Sequence, residues 1–230
     1  MSADKTFVLI HGAWHGAWCW HKLAPLLEAS GARVIAPDLA SMESLDDCAA
    51  RVTGIVEREP GVVLLGHSRG GAVASRVAEL VPDAIRSLVY LSAYLLPDGG
   101  SVAEEARRDA GSLVVPNLVP VRRGLTCVIR DEVLRQTFYG ECTDEDFEYA
   151  RARLTPEPLR LLATPVRTTA GRFGRVPRAY IETLRDRAVT HAAQRRMQSV
   201  LPCDPVFTLD TDHSPFLSQP EALARILISI

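Results

Sequence analysis

Ser68 is the residue whose surroundings most clearly announce chemistry. It sits in VVLLGHSRGGAVAS, at the centre of Gly66-His67-Ser68-Arg69-Gly70, a G-x-S-x-G run. Apolar residues precede it and a helix rich in small residues follows. A strand that reverses directly into a helix needs small residues two before and two after the serine. The turn leaves the hydroxyl strained and exposed at the sheet edge, facing the N–H groups that open the helix. The bare pentapeptide occurs widely; the strand–turn–helix context gives it meaning.

A serine hydroxyl becomes a useful nucleophile only when a base takes its proton, and histidine suits that role near neutral pH. Of the six histidines, His213 follows the last strand-like run in VFTLDTDHSPF and is the best base. His67 flanks the serine but leaves the turn in another direction. His11 and His15 lie on the loop after the first strand, and His21 and His191 in apparent helices. The acid that orients the base is expected between the two in the chain, after an earlier strand. Asp186, in LRDRAVT, meets both conditions. Asp204 precedes its strand, Glu182 is expected inside one, and Asp210 and Asp212 are too near His213 in sequence. An oxyanion hole is expected from the backbone N–H groups of Ala13, in the His-Gly loop HGAWHG, and of Arg69, next after the nucleophile.

These residues must be held by a scaffold, and the hydrophobic pattern describes one. Strands are expected at Thr6–Ile10, Arg33–Ala36, Val62–Leu65, Ser87–Leu91, Ala179–Thr183 and Val206–Leu209. Helices are expected at Trp20–Ala29, Leu45–Glu57, Gly70–Leu80 and Glu221–Ile228. Such alternation implies about six strands in a mostly parallel sheet with helices on both faces. The alternation stops for about 80 residues. The chain therefore reads as one domain (1–230), with a core of residues 1–95 and 176–230 and an inserted helical lid over about 96–175. No convincing buried strand is expected there. Thr143 is expected to cap a helix over Asp144–Leu154, and Leu159–Ala163 to form another.

Composition excludes other chemistries. Only Lys5 and Lys22 are lysines, which leaves little room for Schiff-base, Ser–Lys or P-loop chemistry. Net charge is −2, which argues against a nucleic-acid footprint or attraction to an anionic membrane. Five cysteines without a C-x-x-C read as reduced thiols of a cytoplasmic protein, with no signal peptide and no membrane span. His11 and His15 have H-x-x-x-H spacing but lie on a loop without an adjacent glutamate, so no metal is expected. No cofactor is expected either.

FVLIHGAWHGAWCW, VIAPDL, VVLLGHSRGG and TDHSPF together resemble the α/β-hydrolase superfamily. The resemblance is to its branch of plant methylesterases of the salicylic-acid-binding-protein type, hydroxynitrile lyases and bacterial esterase relatives. FYGECTDEDFEYARARLTPEPL is similar to the lid of that branch. The resemblance spans nearly the whole chain. It implies an α/β-hydrolase fold, Ser68, Asp186 and His213 as a triad, the Ala13 and Arg69 N–H groups as an oxyanion hole, and, by resemblance alone, a homodimer. The lyases of that branch carry a lysine where Ser214 stands and a threonine where Ala13 stands, so cyanide-lyase chemistry is not expected. A glycine-rich turn after PDL is missing, and Arg69 replaces a usually apolar residue. The expected activity is hydrolysis of a small-molecule carboxylic ester through an acyl-enzyme. The alternatives are a lactonase, a C–C hydrolase or a cyclase or lyase using His213 for proton transfer; a non-catalytic receptor would be expected to show a damaged triad.

Overall fold

The computed structural model describes residues 5–59 and 61–230. The short apolar runs form strands in the expected order. β1 (Thr6–Ile10), β2 (Arg33–Ile35), β3 (Val62–His67) and β4 (Ile85–Leu91) come first. The chain then leaves the sheet for an insertion containing β5 (Leu118–Val121), β6 (Thr126–Ile129) and β7 (Glu157–Pro158). It returns as β8 (Arg178–Thr183) and β9 (Val206–Leu209). The main sheet has the order β2-β1-β3-β4-β8-β9, and every pairing is parallel. All six residues of β3 are buried. Successive strand residues face opposite ways, so burial of all of them means that both faces are covered. Each large aliphatic side chain removed from water in this way contributes about 1.5–3 kcal/mol.

The helices are α1 (Leu23–Glu28), α2 (Leu45–Val56) and α3 (Gly70–Leu80) in the first half, and α4 (Val102–Arg108), α5 (Asp131–Phe138), α6 (Asp144–Arg151) and α7 (Leu159–Ala163) in the insertion. The last are α8 (His191–Val200), α9 (Pro215–Ser218) and α10 (Pro220–Ser229). Within the core, α1 packs on α10 and α2 on α3. The expected helix over Trp20–Ala29 is broken in two. A 3-10 turn covers Ala17–Trp20, and α1 begins at Leu23, two residues before Pro25, whose missing N–H is tolerated in a first turn. Thr143 caps α6 as expected, its hydroxyl accepting from the Asp146 N–H at 3.1 Å. That helix ends at Arg151, short of Leu154.

The insertion is not purely helical. β5, β6 and β7 form an antiparallel sheet, and Cys127 and Ile129 of β6 are buried. Two to four residues are too few to establish a period, and LVPV contains Pro120, which has no N–H to give to a ladder. Proline is tolerated on an edge strand, and β5 is one. Among the described residues no helix is long and apolar enough to cross a membrane.

Candidate active site

Ser68 follows β3 directly and has φ 53°, in the left-handed region that a non-glycine residue enters only under constraint. The constraint is visible in its hydrogen bonds. Its N–H donates to Leu91 O at 3.2 Å, and its carbonyl accepts from the N–H groups of Gly71 and Tyr94 at 3.0 Å each. The flanking glycines are sterically required. A Cβ on Gly66 would lie 2.5 Å from Gly70 O, and one on Gly70 would lie 2.6 Å from Ile10 O.

Ala13, Ser68, Asp186 and His213 all follow the carboxyl ends of main-sheet strands, β1, β3, β8 and β9. His213 Nδ1 lies 2.7 Å from Asp186 Oδ2, with both residues buried. Asp186 has other donors. Thr183 Oγ1 and Gln194 Nε2 reach Oδ2 at 3.0 and 3.3 Å, and the N–H groups of Ala188 and Val189 reach Oδ1 at 2.7 and 2.9 Å. An ionised carboxylate accepts all five, and the contact with it directs the proton of neutral His213 to Nδ1. His213 Nε2 and Ser68 Oγ make no hydrogen bond among the described residues.

The other acids have separate structural roles. Glu182 points from within β8 toward His191 Nε2 at 2.9 Å and Gln198 Nε2 at 2.8 Å. Asp210 pairs with Arg185 at the surface. Asp212 is buried, which pushes its carboxyl up, and it accepts from the N–H groups of Glu141 and Ser214. His67 turns its Nε2 to the backbone carbonyl of His213, at 2.9 Å.

The loop after β1 is pinned through its histidine rings, its carbonyls and Trp14. His11 Nδ1 donates to Gly12 O at 2.8 Å, while its Nε2 accepts from Leu39 N at 2.9 Å. His15 Nδ1 donates to Ala13 O at 2.8 Å. Trp14 has φ 63°, and its contacts reach the insertion: its N–H to Glu157 Oε2 at 3.0 Å, its Nε1 to Cys127 O at 3.0 Å, and its carbonyl from Thr155 N at 2.9 Å. The N–H groups of Ala13 and, after β3, of Arg69 have no acceptor among the described residues, as is also true of the N–H groups of Gly12, His15 and Gly16.

The Arg69 side chain turns inward and is 1% exposed. Its Nε lies 3.1 Å from Glu157 Oε1, an ion pair too poorly aligned to be a hydrogen bond. Its Nη2 donates to Gly12 O at 3.2 Å. Burial pushes the Glu157 carboxyl up, against the pull of Arg69 and of the Trp14 N–H. Sequence reasoning missed Glu157, which stands between two prolines in TPEP. The signal available was Arg69 itself, because a cation at a usually apolar buried position requires a partner. Tyr139, whose hydroxyl meets His15, and Gln194 left no comparable signal.

A cavity of about 320 Å³ opens at this edge, lined in part by Ala13, Trp14, Ser68, Tyr94, Phe138 and Leu159. Phe138 also packs on the His213 ring, centroids 5.7 Å apart, which brings the histidine alongside the cavity. Of the three tryptophans only Trp14 lines it. Trp18 stacks on His15, and Trp20 is buried against Phe216. Among the described residues no group of three His, Cys, Asp or Glu could hold a metal ion.

A strained serine between a parallel strand and a helix, with a His–Asp pair at the same sheet edge, defines a class of protein. Residues 7–226 match the alpha/beta hydrolase family, and the chain belongs to it. It is 34% identical over 239 residues to a pyrethroid hydrolase of Sphingobium wenxiniae, covering 96% of this chain and 85% of that protein. It is 32% identical over 251 residues to methylesterase 7 of Arabidopsis thaliana, covering 99% and 96%. The solved structure of polyneuridine aldehyde esterase superposes with a TM-score of 0.87 at 26% identity, covering 99% of each chain. Two longer A. thaliana relatives share 31% and 30% identity, and the chain spans 63% and 56% of their length.

Proposed function

We propose that this chain is a serine hydrolase of small carboxylic esters. Ser68 Oγ attacks the ester carbonyl as His213 Nε2 takes its proton. The tetrahedral oxyanion accepts hydrogen bonds from the N–H groups of Ala13 and Arg69. The carbonyl re-forms, His213 returns the proton to the departing alkoxide, and the alcohol leaves an acyl group on Ser68. Water, deprotonated by His213, attacks that acyl group and releases the acid. Asp186 orients His213 and stabilises the imidazolium formed in each half.

The observation that carries this reading is the buried 2.7 Å contact between His213 and Asp186, at the sheet edge where Ser68 is held at φ 53°. The names of the relatives agree with it: methylesterase 7, a pyrethroid hydrolase and polyneuridine aldehyde esterase. The cavity suits an apolar acyl or alkyl group, since its walls are largely aliphatic and aromatic. The insertion acts as its lid through Val114, Leu118, Phe138 and Leu159. Arg107, on α4, also lines the cavity, and among the described residues no carboxylate lies within 4 Å to pair with it. It is the group that would meet a negatively charged end of a substrate.

The test is hydrolysis of p-nitrophenyl acetate by the purified chain and by Ser68→Ala. The variant is expected to fall to background and to resist labelling by a fluorophosphonate that adds mass to the native protein. Undiminished turnover in Ser68→Ala would remove Ser68 as nucleophile.

A further inference from the structure

We infer that the buried Arg69–Glu157 pair is a positioning device for the oxyanion hole, through which the insertion sets the orientation of the Ala13 N–H. The inference rests on the ester-hydrolase reading above. The Gly12 carbonyl and the Ala13 N–H belong to one peptide unit. In a trans peptide the two bonds point in opposite directions, so gripping the carbonyl aims the N–H. Arg69 Nη2 grips that carbonyl at 3.2 Å, beside His11 Nδ1 at 2.8 Å. Two donors, one of them cationic, also draw electron density from the peptide and strengthen its N–H as a donor.

Glu157 acts on the next peptide. Its Oε2 accepts from the Trp14 N–H at 3.0 Å while its Oε1 faces Arg69 at 3.1 Å. The pair therefore brackets Ala13, holding the carbonyl before it and the N–H after it. Glu157 belongs to β7, which pairs with β6, and β6 itself accepts the Trp14 indole N–H through Cys127 O. The small sheet of the insertion thus grips the loop that faces the nucleophile. Arg69 contributes twice, its backbone N–H pointing at the oxyanion and its side chain aiming the second donor.

Removing only one member would strand a buried charge, so the test uses the double variant Arg69→Met/Glu157→Gln. Glutamine keeps an oxygen for the Trp14 N–H. Two inhibitors with the same skeleton separate the effects. A trifluoromethyl ketone adds Ser68 Oγ to its carbonyl and forms an oxyanion; the matching methyl ketone binds without reacting. Loss of a whole oxyanion donor lowers kcat by ~10²–10³, and misaiming one is expected to cost about 10–100-fold. The double variant should lose that factor in kcat and in trifluoromethyl ketone affinity, with KM and methyl ketone affinity nearly unchanged.

Native kcat and trifluoromethyl ketone affinity in a folded double variant would overturn the inference. Equal losses for both ketones would also overturn it, because they would mean a damaged pocket. Should the double variant not fold, Arg69→Lys replaces it. A lysine ends in one ammonium nitrogen and lacks the planar fork that meets Glu157 through Nε and Gly12 O through Nη2, so the same selective loss is expected at about threefold or more. Native behaviour in Arg69→Lys would again overturn it. A native protein that binds both ketones equally would remove the ester-hydrolase reading and this role with it, an outcome distinct from an effect confined to the variants.

Discussion

The Tyr139 hydroxyl meets Nε2 of His15 at 2.8 Å, joining the insertion to the loop after β1. His15 Nδ1 lies 2.8 Å from Ala13 O, a carbonyl that can only accept, so Nδ1 carries the proton and Nε2 is the acceptor. His11 is fixed in the same way between Gly12 O and Leu39 N. Both rings must be neutral to keep these bonds. Burial, with Arg69 nearby, lowers His11 to about 3, and burial lowers His15 to about 4. In the unfolded chain both would titrate near 6.5. The unfolded state therefore binds more protons below that pH. The stabilisation is complete above about 6.5 and is lost as pH falls toward 4 and then 3. At pH 5 each histidine should have cost about 2 kcal/mol relative to pH 7. Urea unfolding at the two pH values measures the difference, and equal midpoints would contradict it.

The same two histidines mark what the sequence could and could not tell. The succession of strands along the chain, the turn at Ser68 and the contact of Asp186 with His213 were legible because each depends on local pattern or chain order, whereas the order of the strands within the sheet was not read. His11 and His15 were legible only as loop residues, since their partners Leu39 and Tyr139 lie 28 and 124 positions away. Arg69 signalled that a partner was needed but not which residue it was: Glu157 is distant in the chain from both Trp14 and Arg69, and TPEP has no period. The small antiparallel sheet was hidden by its strand lengths and by Pro120.

Asp186→Asn is expected to reduce turnover far more than stability. Oδ1 faces the fixed N–H groups of Ala188 and Val189, so an asparagine must keep its oxygen there. Its NH₂ then faces His213 Nδ1 and forces that nitrogen to accept. The proton moves to Nε2, which can no longer receive one from Ser68. Loss of the correct tautomer costs about 10⁴ in kcat in serine proteases, and a similar fall is expected here. A fall of less than tenfold in a folded variant would mean that Asp186 does not orient the base.

Gly66→Ala tests the elbow sterically. The new methyl would meet Gly70 O at 2.5 Å and the carbonyl carbon of Gly70 at 2.7 Å. These are backbone atoms at the start of α3, and they cannot yield without shifting Ser68. The expected cost is on the order of 4 kcal/mol, in the range reserved for core overpacking and backbone clashes. For a chain of this size that corresponds to a fall in Tm of roughly 10 °C or more. By contrast, Gly54→Ala in α2, where a Cβ meets nothing within 4 Å, should leave Tm unchanged or slightly raised. Equal melting of the two variants would contradict the steric account.

Arg107 should make the enzyme prefer esters that carry a second, negatively charged group. Its neighbour Arg108 pairs with Glu105, which also holds Arg196, and the charge of Arg69 is met by Glu157. Arg107 is left as a cavity-lining cation without a carboxylate partner among the described residues. A charge-assisted hydrogen bond is worth about 1.5–3 kcal/mol when enclosed. Arg107 is exposed, so water screens part of that, and an effect of roughly tenfold is expected. The comparison is between the monomethyl and dimethyl esters of one short dicarboxylic acid. Arg107→Gln should lower kcat/KM about tenfold for the half-ester and leave the diester unchanged. Raising the salt concentration should weaken the native preference for the half-ester in the same direction, as an exposed charge requires. Equal losses on both esters would assign Arg107 to packing at the cavity wall, and no loss on either would leave it outside the substrate's reach.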